Sequence, residues 1–287
     1  MKPTVYLDTC HLQLVATSSE VEYKQMKKIL QDKKLTLVYS WINFSELIAR
    51  KDENKVCEIA DFLSSVEIKY LKDNIQLFKL ECSSTKEQYF SDNLADAFVS
   101  YKDVETYVRL ADYPIGELIK YTYKEQNNTK EEVNKRIIQS WGDTNAKIAE
   151  GIPKDQYWKT VKSRFTGRAR IFYYKHLDYS KTSSSTGYKK IGDEKIIEAI
   201  NIEPENVLSY AIPFYTQYQK HRQKLAWQKN SLWDIEHCTA VPFVDYFITD
   251  KGNHSDLAEA MKQLKYNRTR VYSSLNMLLD DLKEKLP

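Results

Sequence analysis

The sequence predicts an α/β fold built on a parallel sheet and interrupted by a long all-helical stretch. Three observations lead there. In residues 1–72 short β-rich runs alternate with helical segments, the order that produces a parallel sheet with helices on its faces. From 73 to 228 the periodicity is almost wholly helical. After 229 the strand pattern returns, first in VDYFITD (244–250) and then in TRVYSS (269–274).

In chain order, PTVYLD (3–8) is a short β-rich run ending at Asp8, and either Asp8 or Thr9 can cap the helix that HLQLVAT then forms. SEVEYKQMKKILQD (19–32) is amphipathic. LTLVYS (35–40) is a second strand, followed by the helix WINFSELIAR, which carries Glu46. A helix near 54–65 leads into a third strand, VEIKYL (66–71). Helical periodicity then runs through 86–102, 104–126, 129–141, 194–200 and 205–229, with loops by composition at 127–129 and 181–192. VDYFITD combines β-branched and aromatic residues between a Pro and a Gly, as a buried strand does. NMLLDDLKEKL closes the chain as a helix.

A chain of 287 residues suffices for one large domain, or a domain with a sizeable insertion, that buries roughly three quarters of its unfolded surface. The division expected is an α/β domain over 1–72 and 229–287 and a helical insertion over 73–228. A net charge of +3 means that a nucleic-acid role must rest on local clusters rather than on the total. Cys10, Cys57, Cys82 and Cys238 lie far apart with no C-x-x-C pair, which argues against structural zinc. No apolar run approaches the 18 or so residues that span a bilayer, and the N-terminus enters a strand rather than a signal sequence. The expectation is a reduced, cytoplasmic protein with no membrane partner.

Ligands of parallel sheets gather at the carboxyl ends of the strands. Asp8 ends the first strand and Asp250 ends VDYFITD. Glu46 follows the second strand on its helix, and Asp234 precedes the fourth, three residues before His237. Asp245 begins the strand that Asp250 ends, about 17 Å away, and is expected to be a solvated or capping acid. Each acid alone has an ordinary reading: Asp8 and Asp234 as helix caps, Glu46 as a surface residue. Their order carries the information.

That order resembles the PIN-domain nucleases, on VYLDTC (5–10), SWINFSELIAR (40–50), SLWDIEHCTA (231–240) and DYFITDKG (245–252), with TRVYSS as a last short strand. The resemblance covers under half of the chain, and the long insertion before Asp234 departs from small family members. Lys251 stands where many relatives carry a second acid or Asn, so Asp250 is the fourth acid and Asp256 its reserve. The resemblance implies a Rossmannoid, PIN-like sheet and an acidic site of Asp8, Glu46, Asp234 and Asp250. Thr9 and Thr249 would position the loops, and His237 would support the site rather than ligate. His11 is undecided between surface and pocket rim.

Converging carboxylates repel: at 4 Å and an effective dielectric near 20 a pair costs about 4 kcal/mol. A divalent cation removes that cost, and oxygen-only ligands favour Mg²⁺ or Mn²⁺. Such an ion activates water for attack on a phosphodiester.

The substrate needs cations nearby, and the stretch 154–176 is the densest source. Lys159, Lys162, Arg164, Arg168 and Arg170 are its candidate phosphate contacts, interleaved with Tyr157, Trp158, Phe165 and Phe172, which either stack bases or belong to the core. HRQK (221–224) is a second, weaker cluster.

The sequence is therefore read as a metal-dependent nuclease, RNA favoured over DNA as substrate. A structure-specific DNA nuclease and a non-catalytic PIN-like module that binds nucleic acid or protein are the alternatives. An Asp-nucleophile phosphatase would need a second Asp where Cys10 stands, and no glycine-rich turn follows the first strand for a dinucleotide. A homodimer and a protein inhibitor are left open by the resemblance.

Overall fold

A computed structural model of the chain describes residues 2–50, 52–83, 97–99, 119, 150–177, 202–223 and 231–285. Its centre is a six-stranded sheet: β1 (Thr4–Leu7), β2 (Thr36–Tyr39), β3 (Ile68–Leu71), β4 (Phe98–Val99), β5 (Tyr246–Ile248) and β6 (Arg270–Tyr272). The spatial order is β4-β3-β2-β1-β5-β6, with all neighbours parallel except the β3–β4 pair. The fold is α/β, with five parallel strands in a Rossmann-like arrangement. The expected strands are all present, within about two residues of the expected ends.

The period-two rule sorts the sheet's side chains between two cores. Val5, Leu7, Leu37, Tyr39, Tyr246 and Ile248 face one side. There they meet α1 (Thr9–Thr17), α2 (Val21–Gln31), α3 (Trp41–Ile48), α4 (Glu53–Ser64) and α10 (Leu275–Lys285). Tyr6, Val38 and Phe247 face the other. There the cover comes from α5 (Asn74–Ser83), α6 (Tyr157–Leu177), α7 (Leu208–Arg222) and α9 (Lys251–Gln263), with a 3₁₀ turn over Cys238–Phe243. The latter turn follows α8 (Ser231–His237).

Two findings refine the sequence reading of the helical stretch. The periodicity of residues 86–102 predicts a helix, yet Phe98–Val99 form the antiparallel edge strand β4. A β-branched residue beside an aromatic on the exposed edge of a sheet pairs more readily than it propagates a helix. In addition, α6 and α7 do not close a core of their own. Val161, Phe165, Ala211, Ile212 and Tyr218 belong to the cluster that contains Tyr6 and Phe247 of the sheet. The helices expected over 104–126, 129–141 and 194–200 and the loops at 127–129 and 181–192 lie outside the described residues, Ile119 apart.

Among the described residues all four cysteines are free thiols, and no helix is long and apolar enough to cross a membrane.

Candidate functional site

The carboxyl ends of β1 and β5 lie side by side, because Leu7 pairs with Ile248 and the Asp8 N–H donates to Ile248 O at 3.2 Å. Each strand ends in an aspartate that starts a helix. Asp8 caps α1, its Oδ1 accepting from the His11 N–H at 2.9 Å. Asp250 caps α9, its Oδ1 accepting from the Asn253 N–H at 2.9 Å. The cap geometry is the same at both, φ −59°, ψ 164° and φ −65°, ψ 164°. Thr9 therefore follows the cap as the first helical residue. Asp8 is at once the strand-end acid and the N-cap, two readings that the sequence sets against one another. Gly252 leaves room beside Asp250, since a Cβ there would lie only 3.1 Å from Asp250 Oδ1.

The second strand delivers Glu46 by a different device. Ser40 and Asn43 form a capping box at the start of α3, and Asn43 Nδ2 donates to Leu7 O at 3.1 Å. That bond fastens α3 to the end of β1, and Glu46 stands one turn on. Its Oε2 lies 3.0 Å from His237 Nε2. His237 is buried (1 %), and its Nδ1 lies 2.6 Å from the Tyr6 hydroxyl. Tyr6 in turn reaches Ser40 Oγ at 2.7 Å. His237 thus turns inward, linking β1, α3 and α8, and its second nitrogen orients a carboxylate. Thr9 Oγ1 approaches the same nitrogen at 3.4 Å. His11 is half-buried, with Nδ1 2.9 Å from Asp8 Oδ1.

Asp234 occupies the first turn of α8, which Asn253 tethers to α9. Asn253 is buried, and its Nδ2 donates to Asp234 O at 3.0 Å and to Thr249 Oγ1 at 3.1 Å. This buried clamp, the counterpart of Asn43, is absent from the sequence reading. Its signal was the Asp-x-x-Asn spacing of residues 250–253, which matches Ser40-x-x-Asn43 after the other strand.

The environments drive the acids apart. Burial raises the Asp8 carboxyl, but the His11 hydrogen bond and charge, with the His237 ring, more than offset it and hold it below the ordinary value. Burial likewise raises Glu46, and the His237 bond, Thr9 and Arg50 reverse the shift. Among the described residues Asp234 has no such hydrogen-bond partner. Burial pushes its carboxyl up to about 7, with the charges of Asp250 and then Asp8 adding to the rise against Lys220 and His237. Asp256 is enclosed on α9 and rises to about 6, chiefly from burial.

Asp245 is exposed at the opposite end of its strand. It accepts from Thr4 N at 2.7 Å and Thr4 Oγ1 at 2.8 Å, so it stitches β1 to β5 away from the acids.

By donor chemistry Asp8, Asp234 and Asp250 fit a hard divalent cation, which would remove the repulsion felt by Asp234. Among the described residues, however, no group of three or more His, Cys, Asp or Glu side chains is already gathered to hold a metal ion.

The basic helix α6 divides by face. Tyr157, Val161, Phe165 and Ala169 form its buried stripe, and Phe172 packs against the same core. Trp158 stacks on Tyr215 with centroids 5.6 Å apart. Of the two readings of these aromatics, Tyr157 and Phe165 take the core one: their spacing is that of a buried helix face, with half-buried Phe172 at its edge. Lys159 and Lys162 are exposed, and Lys162 pairs with Glu203 at 2.7 Å. Arg164, Arg168 and Arg170 are half-buried, with Arg168 over the Phe214 ring at 5.9 Å. Of the second cluster, Arg222 is exposed, His221 is withdrawn from the surface, and Lys224 lies outside the described residues. His221 is buried and its pKa falls to about 4 through burial, while Arg222 lies over Tyr157 and Trp158.

Comparison of the chain with protein-family models, with curated proteins and with solved structures returns no match.

Proposed function

We propose that this chain is a metal-dependent nuclease with a PIN-like α/β domain, hydrolysing phosphodiester bonds in single-stranded RNA. The observation that carries the reading is Asp234, half-enclosed beside two further acids at adjacent strand ends and pushed to about 7 by burial and by the charges of Asp250 and Asp8. A fold gains nothing from such repulsion, whereas a site that binds a divalent cation uses it.

Asp8, Asp234 and Asp250 would hold Mg²⁺ or Mn²⁺, which supplies a nucleophilic water and neutralises charge on the phosphate. Asp8 would be the central ligand, since it stands between the Glu46 and Asp250 strand ends. Glu46, kept ionised by His237, accepts a hydrogen bond from the attacking water or contributes an oxygen to the ion. His237 and Tyr6 fix that carboxylate from behind, and Asn43 and Asn253 fix the helices that carry Glu46 and Asp250. Lys159, Lys162, Arg164, Arg168 and Arg170 are the proposed contacts to the nucleic-acid backbone, through charge alone. RNA is favoured because a flexible single strand reaches a recessed carboxylate pocket, and because most proteins that the acid order resembles cut RNA.

The test is cleavage of labelled single-stranded RNA and DNA with Mg²⁺ or Mn²⁺ by wild type, Asp8→Asn and Asp234→Asn. Metal-dependent cutting of RNA that both variants lose supports the proposal. Cutting of DNA alone moves the substrate to DNA, and binding without cutting in wild type makes the chain a binding module.

A further inference from the structure

The two strand-end caps share one backbone geometry and differ in what the third helical residue does with its side chain. At α9 that residue is Asn253, which is buried and turns its amide nitrogen away, to Asp234 O, Thr249 Oγ1 and Cys238 Sγ. Among the described residues Asp250 Oδ1 therefore accepts one hydrogen bond, from the Asn253 N–H. At α1 the residue is His11, whose ring folds back onto the cap. Its N–H and its Nδ1 both lie 2.9 Å from the same oxygen, Asp8 Oδ1.

The donor and acceptor roles follow. An ionised carboxylate only accepts, so the imidazole donates here and carries a proton on Nδ1. A carboxylate oxygen offers about two lone-pair positions. Those of Asp8 Oδ1 are both taken, one by the backbone and one by the ring, whereas Oδ2 accepts no hydrogen bond among the described residues. Both side chains are largely enclosed, so bulk water competes little for the bond between them.

We infer that His11 is a positioning residue that makes Asp8 a one-oxygen metal ligand: the His11 N–H and Nδ1–H close Oδ1, and Oδ2 alone is presented to the ion. Asp250, held by a single bond at its cap, is the more adjustable ligand. This rests on the nuclease reading, to which it adds how the central ligand is held. The ring is asked only to donate a hydrogen bond, and no proton is transferred.

The experiment is a Mn²⁺ titration of the full chain, followed by electron paramagnetic resonance of the free ion, for wild type, His11→Phe and His11→Asn. Phe keeps a ring and removes the donor. Asn places its Nδ2 on the same Cγ that bears Nδ1 in the imidazole, so it restores the donor while filling less space. His11→Phe should bind Mn²⁺ roughly tenfold more weakly, the low end of the effect of removing an outer partner from a metal ligand. His11→Asn should recover most of the wild-type affinity, which a loss caused by disturbed packing would not do. Should His11→Phe melt well below wild type, His11→Leu takes its place. A folded variant without the donor that binds Mn²⁺ as wild type does, or His11→Asn that binds no better than His11→Phe, overturns the inference and leaves the nuclease reading standing. Wild type that neither binds Mn²⁺ nor cuts RNA or DNA overturns both.

Discussion

Replacing Asp234 with Asn should stabilise the metal-free protein, because the substitution removes a charge that the fold holds at a disadvantage. Burial first, then Asp250 and Asp8, displace the carboxyl from 3.8 to about 7. The folded state therefore holds this proton more tightly than the unfolded chain does. Its contribution to stability is complete below about pH 4 and is lost as pH rises through about 7. A displacement of about three pKa units has a ceiling of about 4 kcal/mol at neutral pH. Asp234 is only partly enclosed, and solvent screening at an effective dielectric near 20 reduces the penalty to about 2 kcal/mol. For a domain of this size 1 kcal/mol moves the melting temperature by about 2 °C. Scanning calorimetry in chelator at pH 8 should therefore find Asp234→Asn melting about 4 °C above wild type. The gap should narrow steadily toward pH 5, and Mn²⁺ should raise the wild type more than the variant. An Asn variant that melts at or below wild type at pH 8, or a gap that widens as pH falls, would refute the electrostatic argument.

Three further outcomes test the scaffold around that acid. Asp245→Ala removes the carboxylate oxygen that accepts from both Thr4 N and Thr4 Oγ1, and should cost about 1–2 kcal/mol in denaturant unfolding while leaving any cleavage rate at the wild-type value. Asn43→Ala breaks the capping box of α3 and its bond to Leu7, and chemical denaturation should show a loss of about 2 kcal/mol. Phe165→Ala empties a fully buried position and should destabilise by about 3–4 kcal/mol, while RNA affinity measured below its melting transition stays unchanged. A selective loss of affinity there would return Phe165 to the nucleic-acid surface.

The parallel strands were legible because their runs are short, β-branched and flanked by helical periodicity, and the carboxyl ends of β1 and β5 could be placed from topology alone. Asp8 and Asp250 followed directly. The roles of His237 and Asn253 were not legible in detail. A histidine three residues after an acid says nothing about which side chains 191 residues away it will meet, and the Glu46 bond exists only once α3 and α8 pack. The aromatics of α6 illustrate the opposite difficulty. Tyr157, Phe165 and their neighbours alternate with cations in sequence, and only a count at helical spacing separates the buried stripe from the charged face. β4 escaped notice because two paired residues carry no periodicity of their own.

The central position of β1 has a consequence for biosynthesis. Its neighbour on one side, β2, follows almost at once, but its neighbour on the other, β5, joins it across the 241 residues that separate Thr4 from Asp245. At about 5–20 residues per second a ribosome needs roughly 10–50 s to make that connection. During this interval the nascent chain holds Asp8 and Glu46 but lacks Asp234, Asp250 and the α9 scaffold. The acid edge therefore comes into being only once α8, β5 and α9 have been made and have folded against β1.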